Sequence, residues 1–190
     1  MARMKIEFQH HWHRRHGWSL KDRAVAYLPR YAPWAARLAP LVNAISAATK
    51  GWMGFAAQRS LPQWRGDAFA AKGCAAANAD VVLFVDTFNR YHEPENARAA
   101  LRVLEAAGYQ VHVAQAAGRP LCCGRTFLAT GMVDEAKREA RRMVDALAPF
   151  VDRGLPIVGL EPSCLFGLRD EFRSMLPGEA TERLAGQALL

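Results

Sequence analysis

Val81-Val82-Leu83-Phe84-Val85-Asp86 is the stretch that decides the fold. Its first five side chains are all apolar, with no polar alternation. A strand half-exposed to water alternates; an unbroken short run is the mark of a strand covered on both faces, as in a parallel sheet flanked by helices. Outward from this run the pattern alternates. Residues 95–107 read as a helix, with Pro94 near its start and Gly108 at its end. Residues 109–114 read as a second strand. Residues 133–150 form the next predicted helix, with Asp134 and Glu135 early and Arg141 and Arg142 later, which suits the helix dipole. Residues 155–160 are the third strand. Ser163 is a candidate cap for a helix over 165–175, Pro177-Gly178 breaks it, and a last helix is expected over 179–190.

The order β-α-β-α-β-α, with right-handed crossovers, predicts an α/β fold: a three-stranded or larger parallel sheet with flanking helices. The loops leaving the strands then share one end of the sheet, where open α/β sheets bind ligands. Those loops carry Asp86-Thr87-Phe88, Cys122-Cys123-Gly124 and Glu161-Pro162-Ser163-Cys164. Two adjacent thiolates can share metal atoms or form a strained disulfide. Cys122, Cys123 and Cys164 could supply three ligands to an iron–sulfur cluster, a metal centre held by thiolates. The plainer alternative is that they are small buried residues lining a loop. Asp86, Glu161 and His92 could be acid–base groups, although Asp and Glu ending a strand often cap turns. Arg119 and Arg125, beside the cysteines, could stabilise thiolates or be solvated.

The first third differs. Residues 1–66 hold 11 Lys/Arg and 2 Asp/Glu, a net +9, whereas residues 67–190 hold 14 and 16, a net −2. Short helices are expected there, punctuated by Pro29, Pro33 and Pro40, with a further helix near 41–57 and a small-residue linker over 70–80. The expected division is a helical basic extension and linker over 1–74 and an α/β half-domain over 75–190. Trp12, Trp18, Trp34, Trp52 and Trp64 interleave with Arg and Lys, a pattern that can stack on single-stranded nucleic acid. No nucleic-acid motif accompanies it, so nucleic acid is not expected as a partner. Packing on a neighbouring domain, or contact with an anionic membrane, is. His10 and His13 share a helix face, but Lys5, Arg14 and Arg15 crowd the same helix and would repel a metal. Four cysteines are too few for a disulfide framework, and Cys74 reads as incidental. No signal peptide and no apolar run long enough to span a membrane is seen, so the expected place is the cytoplasm, with peripheral contact at the inner face of the cell membrane.

The span 81–176 resembles one half of the cysteine-rich CCG domain of heterodisulfide reductases and of the iron–sulfur subunits of glycolate, lactate and glycerol-3-phosphate dehydrogenases. That family's motif is a Cys, a gap, Cys-Cys-Gly, a similar gap and Cys-x-x-Cys. Here Cys122-Cys123-Gly124 and Cys164 match, while Thr87 and Glu161 stand where the other two cysteines are expected. In complete motifs the resemblance implies a noncubane [4Fe-4S] cluster held by five thiolates. Three remain, and oxygen ligands at 87 and 161 would harden the site. No stable cluster of that kind is therefore expected in this chain alone.

A narrower resemblance covers nearly the whole chain. Met1-Ala-Arg-Met-Lys-Ile-Glu-Phe, Tyr27-Leu-Pro-Arg-Tyr-Ala-Pro, Val85-Asp-Thr-Phe-Asn and Gly159-Leu-Glu-Pro-Ser-Cys are similar to the C-terminal part of fused flavoproteins. Those join an FAD-linked 2-hydroxy-acid oxidase module, a ferredoxin-like module with two [4Fe-4S] clusters, and a cysteine-rich module. Thr and Glu at positions 87 and 161 fit their first cysteine-rich half. The resemblance implies a fragment: an electron-transfer or cofactor-docking module whose FAD and ferredoxin-like clusters lie in missing modules, with a second CCG half beyond Leu190. Two other functions remain open, a partner-docking module with vestigial cysteines and a thiol–disulfide switch using Cys122 and Cys123.

Overall fold

Strand β1 (Val81–Phe84) lies inside a sheet of four parallel strands ordered β2-β1-β3-β4, with β2 Val111–Val113, β3 Ile157–Gly159 and β4 Ala188–Leu189. The computed structural model describes residues 2–71 and 73–190; Met1 of the expected extension and Lys72 of the expected linker lie outside the described residues. Val82 pairs with His112 on one side and Ile157 on the other. Both faces of β1 are covered, as its unbroken apolar run requires. Val82 and Phe84 point into a core with Ala140, Met143, Leu147, Leu168, Phe172 and Leu184. Val81, Leu83 and Val85 face Phe69, Ala97, Leu101 and Leu104. Each fully buried side chain of this kind stabilises by about 1.5–3 kcal/mol, which makes β1 the centre of the fold.

Helices α1 (Ala2–His16), α2 (Leu20–Ala26), α3 (Leu28–Arg37) and α4 (Ala39–Thr49) make up the basic extension. Ser19 caps α2 in a reciprocal box with Asp22: the Asp22 N–H donates to Ser19 Oγ, and the Ser19 N–H donates to Asp22 Oδ2, both at 3.1 Å. Prolines occupy the first turns of α3 and α4, where a missing N–H costs nothing. The sheet region continues with α5 (Thr87–Tyr91), α6 (Pro94–Ala106), α7 (Arg125–Ala129), α8 (Val133–Val151) and α9 (Pro162–Phe166). A π-helical stretch, Gly167–Glu171, joins α9 to α10 (Phe172–Met175), and α11 is Glu179–Gln187. Helix α6 covers one face of the sheet; α8, α10 and α11 cover the other.

Three local expectations are corrected. The helix read over 179–190 ends at Gln187, because Ala188 and Leu189 extend beside Ile157 and Val158 and pair with the free edge of β3. The helix read over 41–57 stops at Thr49, and residues 50–54 form turns in which Gly54 is left-handed. The helix read over 165–175 begins earlier, at Pro162. The small-residue linker over 70–80 is tied to the sheet: the Cys74 N–H donates to Val111 O at 2.7 Å. Arg153 also donates to the carbonyls of Ala76, Ala77 and Ala79.

The extension packs over the end of the sheet where β1 and β3 finish. Ala26 and Tyr27 join Phe127, Leu128, Met132 and Ala136, while Ala32, Ala35 and Ala36 join Trp64 and Tyr91. Because α5 and α7 start from the strand-end loops, α2 and α3 settle directly above them.

Candidate functional site

Three turns build the site. After β1, buried Asp86 caps α5: its Oδ1 accepts from the Phe88 and Asn89 N–H groups at 2.9 and 3.2 Å, and its Oδ2 accepts from Asn89 Nδ2 at 2.6 Å. That leaves Thr87 buried at the first position of α5. After β3, Glu161 does the same for α9, accepting from the Ser163 N–H at 3.2 Å and from Ser163 Oγ at 2.7 Å. Cys164 follows in the first turn. Gly159 permits this arrangement, since a Cβ there would lie 2.9 Å from a Leu165 methyl.

The third turn is Cys122-Cys123-Gly124. Gly124 has φ +79°, and a Cβ on it would press on Ala136 O at 3.2 Å and Glu139 Cβ at 3.3 Å. Only glycine takes this left-handed turn so close to α8. The Gly124 N–H donates to Cys122 Sγ at 3.4 Å. Cys123 Sγ lies 2.9 Å from Cys164 Sγ.

These turns enclose a cavity of about 350 Å³ lined by Thr87, Cys122, Cys123, Glu161 and Cys164, with Asp86, Arg125 and Ser163 also on its wall. Val25 of α2 and Phe88 of α5 close its apolar side, so the extension contributes part of the wall. Gly124 stands behind it, as the turn that sets Cys122 and Cys123. The structure thus brings Asp86, Thr87, Cys122, Cys123, Glu161 and Cys164 to one cavity. It does not bring in His92, whose Nδ1 bonds Gln63 O at 2.9 Å and whose ring packs on Trp64. Burial lowers the His92 pKa, so it is neutral at pH 7.

Electrostatics around the sulfurs favour thiols. The neighbouring Cys123 and burial both push the Cys122 pKa well up. The hydrogen bond with Cys122 favours a Cys123 thiolate, but contact with Cys164 and burial outweigh it, and its pKa also rises. The nearby guanidiniums are engaged elsewhere. Arg125 donates to Glu171 Oε1 at 2.6 Å, and Arg119 donates both arms to Glu139 at 2.8 and 2.5 Å. A metal would have to displace the thiol protons, so any affinity here rises with pH.

Sequence reasoning missed the loop's support. Glu139 is fully buried, and Arg30 of α3 donates to its Oε1 at 3.2 Å, the oxygen that Arg119 also reaches. Arg142 donates to the carbonyls of Ala117, Arg119 and Pro120. The loop leading to Cys122 is therefore held by α8 at both its carbonyls and its arginine. The available signal was the apolar stripe Ala136, Ala140, Met143, Leu147, in which Glu139 sits on the buried face.

Among the described residues no group of three His, Cys, Asp or Glu side chains is gathered at metal-binding distances. The donor set matches three thiolates and not five: Thr87 offers a hydroxyl, and one Glu161 oxygen is spent on Ser163. The residues present therefore do not fit a complete five-thiolate [4Fe-4S] centre.

The family model for CCG, the cysteine-rich domain, matches residues 72–169. One subunit of the anaerobic glycerol-3-phosphate dehydrogenase is 29% identical over 126 residues, in both Escherichia coli strain K12 and Escherichia coli O157:H7. Each alignment covers 63% of this chain and 31% of the relative, so the chain spans about a third of the length of those curated proteins. No solved structure matches. The matched span holds the Cys122-Cys123-Gly124 turn and Cys164, which follow the two strands flanking β1, and takes in more than half of the sequence: the chain belongs to the CCG cysteine-rich domain family.

Proposed function

We propose that this chain is an electron-transfer or cofactor-docking module of an FAD- and iron–sulfur-dependent oxidoreductase acting on small 2-hydroxy acids of the lactate or glycolate type. The observation that carries the reading is one cavity lined by Cys122, Cys123 and Cys164 with Thr87 and Glu161 at the two remaining motif positions. In this reading the three sulfurs contribute an incomplete ligand set to iron, and Thr87, Glu161 and Gly124 shape the cradle. The flavin and the ferredoxin-like clusters belong to partner modules or subunits, and a second CCG half would complete the pair. Residues 75–190 act as the half-domain. Residues 1–74 act as its docking extension, with Phe69 inserted beside Val81 and Leu83 as the joint. The chain alone does not turn over substrate. Its place is the cytoplasm, peripheral at the inner face of the membrane; among the described residues no helix is long and apolar enough to cross one.

Anaerobic purification followed by reconstitution with ferrous iron and sulfide tests this. The expected result is iron below four per chain, with thiolate-to-iron absorption that Cys123→Ser removes. Iron equal in the wild type and in Cys123→Ser would sink the cluster reading and favour a docking module with vestigial cysteines. A full four irons per chain, abolished by Cys123→Ser, would instead show that the ligand set is complete.

A further inference from the structure

We infer that Cys123 and Cys164 form a reactive dithiol that a small hydroperoxide closes into an intramolecular disulfide, with Cys122 left as the odd thiol. This goes beyond the reading above and does not depend on iron. The carrying observation is the separation of 2.9 Å between Cys123 Sγ and Cys164 Sγ. A disulfide is about 2.05 Å long, so closing this gap asks for under about 1 Å of movement. All four cysteines are free; Cys122 also hydrogen-bonds Cys123, whereas Cys164 approaches Cys123 from a separate turn.

The scaffold favours this pair over the one that sequence adjacency offers. Cys123 sits on a turn fixed by the left-handed Gly124 and by the clamp of Arg119, Glu139 and Arg142. Cys164 sits on a turn fixed by the Glu161 cap and by Leu165 packed on Gly159. Two rigid strand ends present the sulfurs to each other. Cys122, by contrast, accepts the Gly124 N–H, and a bond to Cys123 would have to bend that turn.

Access sets the order of events. Both sulfurs line the same cavity, and Cys164 is 7% exposed against 3% for Cys123. Cys164 sulfur attacks one peroxide oxygen, the O–O bond breaks, and water leaves as a sulfenic acid forms. Cys123 sulfur then attacks Cys164 sulfur, the S–O bond breaks, and a second water carries off the last proton. Two thiols and one hydrogen peroxide yield one disulfide and two waters, with sulfur oxidised and peroxide oxygen reduced. The disulfide withdraws two of the three thiols, so the oxidised chain cannot present the metal-ligand set.

The test uses the full metal-free chain, reduced, freed of reductant, treated with one equivalent of hydrogen peroxide and alkylated. A Cys74→Ser background removes the outlying thiol. The expected product has lost two hydrogens, keeps one alkylatable cysteine, yields a cross-linked peptide pair of Cys123 with Cys164, and reverts with dithiothreitol. Cys123→Ser and Cys164→Ser should each cut the cross-link at least tenfold, while Cys122→Ser should retain it. A cross-link joining Cys122 to Cys123, disulfide dimers as the main product, or three alkylatable thiols after oxidation would overturn the inference. Circular dichroism of each variant separates lost chemistry from lost fold. The readout is a mass and a peptide, so a chain that forms this disulfide yet never binds iron would fail the cluster reading alone.

Discussion

The sheet and the extension solve the same problem differently. Around β1 nearly every apolar side chain finds a partner, on both faces. In the extension, α2 and α3 bury alanines against the sheet region, yet Phe8, Trp12, Trp34, Leu41, Ile45 and Trp52 stay exposed. The first region closes its own core. The second closes only the face that meets the cysteine end and leaves an apolar, positively charged face outward. That difference separates what the fold needs from what a partner would need, and substitutions on the two sides should behave oppositely.

The largest effect is expected at the seam. Phe127 is fully buried, meets the Tyr27 ring edge-on at 5.3 Å, and lies under the Arg30 guanidinium. Phe127→Ala should destabilise by about 3–5 kcal/mol, since it removes a large buried ring and leaves a cavity. Guanidinium unfolding measures it. If the loss is under about 1 kcal/mol, α2 and α3 are not coupled to the sheet as the seam implies.

Next comes the buried carboxylate. Glu139→Ala strands Arg119, about 30% exposed, while Arg30 keeps its ion pair with Glu135. Breaking a buried pair costs about 3–5 kcal/mol, and partial access to water brings this nearer about 2–3 kcal/mol. The exposed pair of Arg65 with Asp67 offers the contrast: Asp67→Asn should cost far less, because water screens an exposed pair. Glu139→Ala should also loosen the loop before Cys122, read as faster alkylation of Cys122 and Cys123. Equal costs for the two substitutions would show that burial does not set the worth of these pairs.

A pH effect should come from His92. Burial lowers its folded pKa below the usual 6.5. The stabilisation from keeping it neutral is present above that unfolded value and is lost as pH falls through the folded pKa. Denaturant midpoints should therefore fall on acidification below about pH 6.5, and His92→Phe should flatten that part of the curve. A steeper fall in the variant would contradict a neutral buried ring.

Legibility followed the same divide. The run 81–85 announced a two-sided strand because continuous burial leaves no polar position to mislead. The strand-end loops were legible because alternation alone puts them at one end. β4 was not, since Ala188-Leu189 is too short to carry a period and is strand only because β3 leaves an edge free. Helices α5 and α7 were missed for the same reason of length. Asp86 and Glu161 were legible as caps or as acids, and local hydrogen bonds decided for caps. Glu139 was legible only as a buried position on the α8 stripe and not as a support, because its partners Arg30 and Arg119 come from distant segments.

The smallest effect on stability, and the sharpest contrast with the seam, is expected at the outward face. Trp34 is 65% exposed and Trp52 is 80% exposed. Replacing either by Ser removes little buried area and should change folding stability by no more than about 0.5 kcal/mol. Association is another matter. An exposed apolar patch of this kind drives self-contact or capture by a partner, and the surrounding net +9 makes contact with anionic surfaces salt-sensitive. Light scattering of the wild type should show oligomers, and the Trp34→Ser/Trp52→Ser double variant should shift towards monomer. Retention on anionic vesicles should fall between low and moderate salt, for a different reason: it follows the Lys and Arg side chains and not the tryptophans. A double variant that unfolds would place these rings in the core. A wild type that is monomeric and indifferent to salt would mean that the extension is a finished surface, with nothing left for a partner to cover.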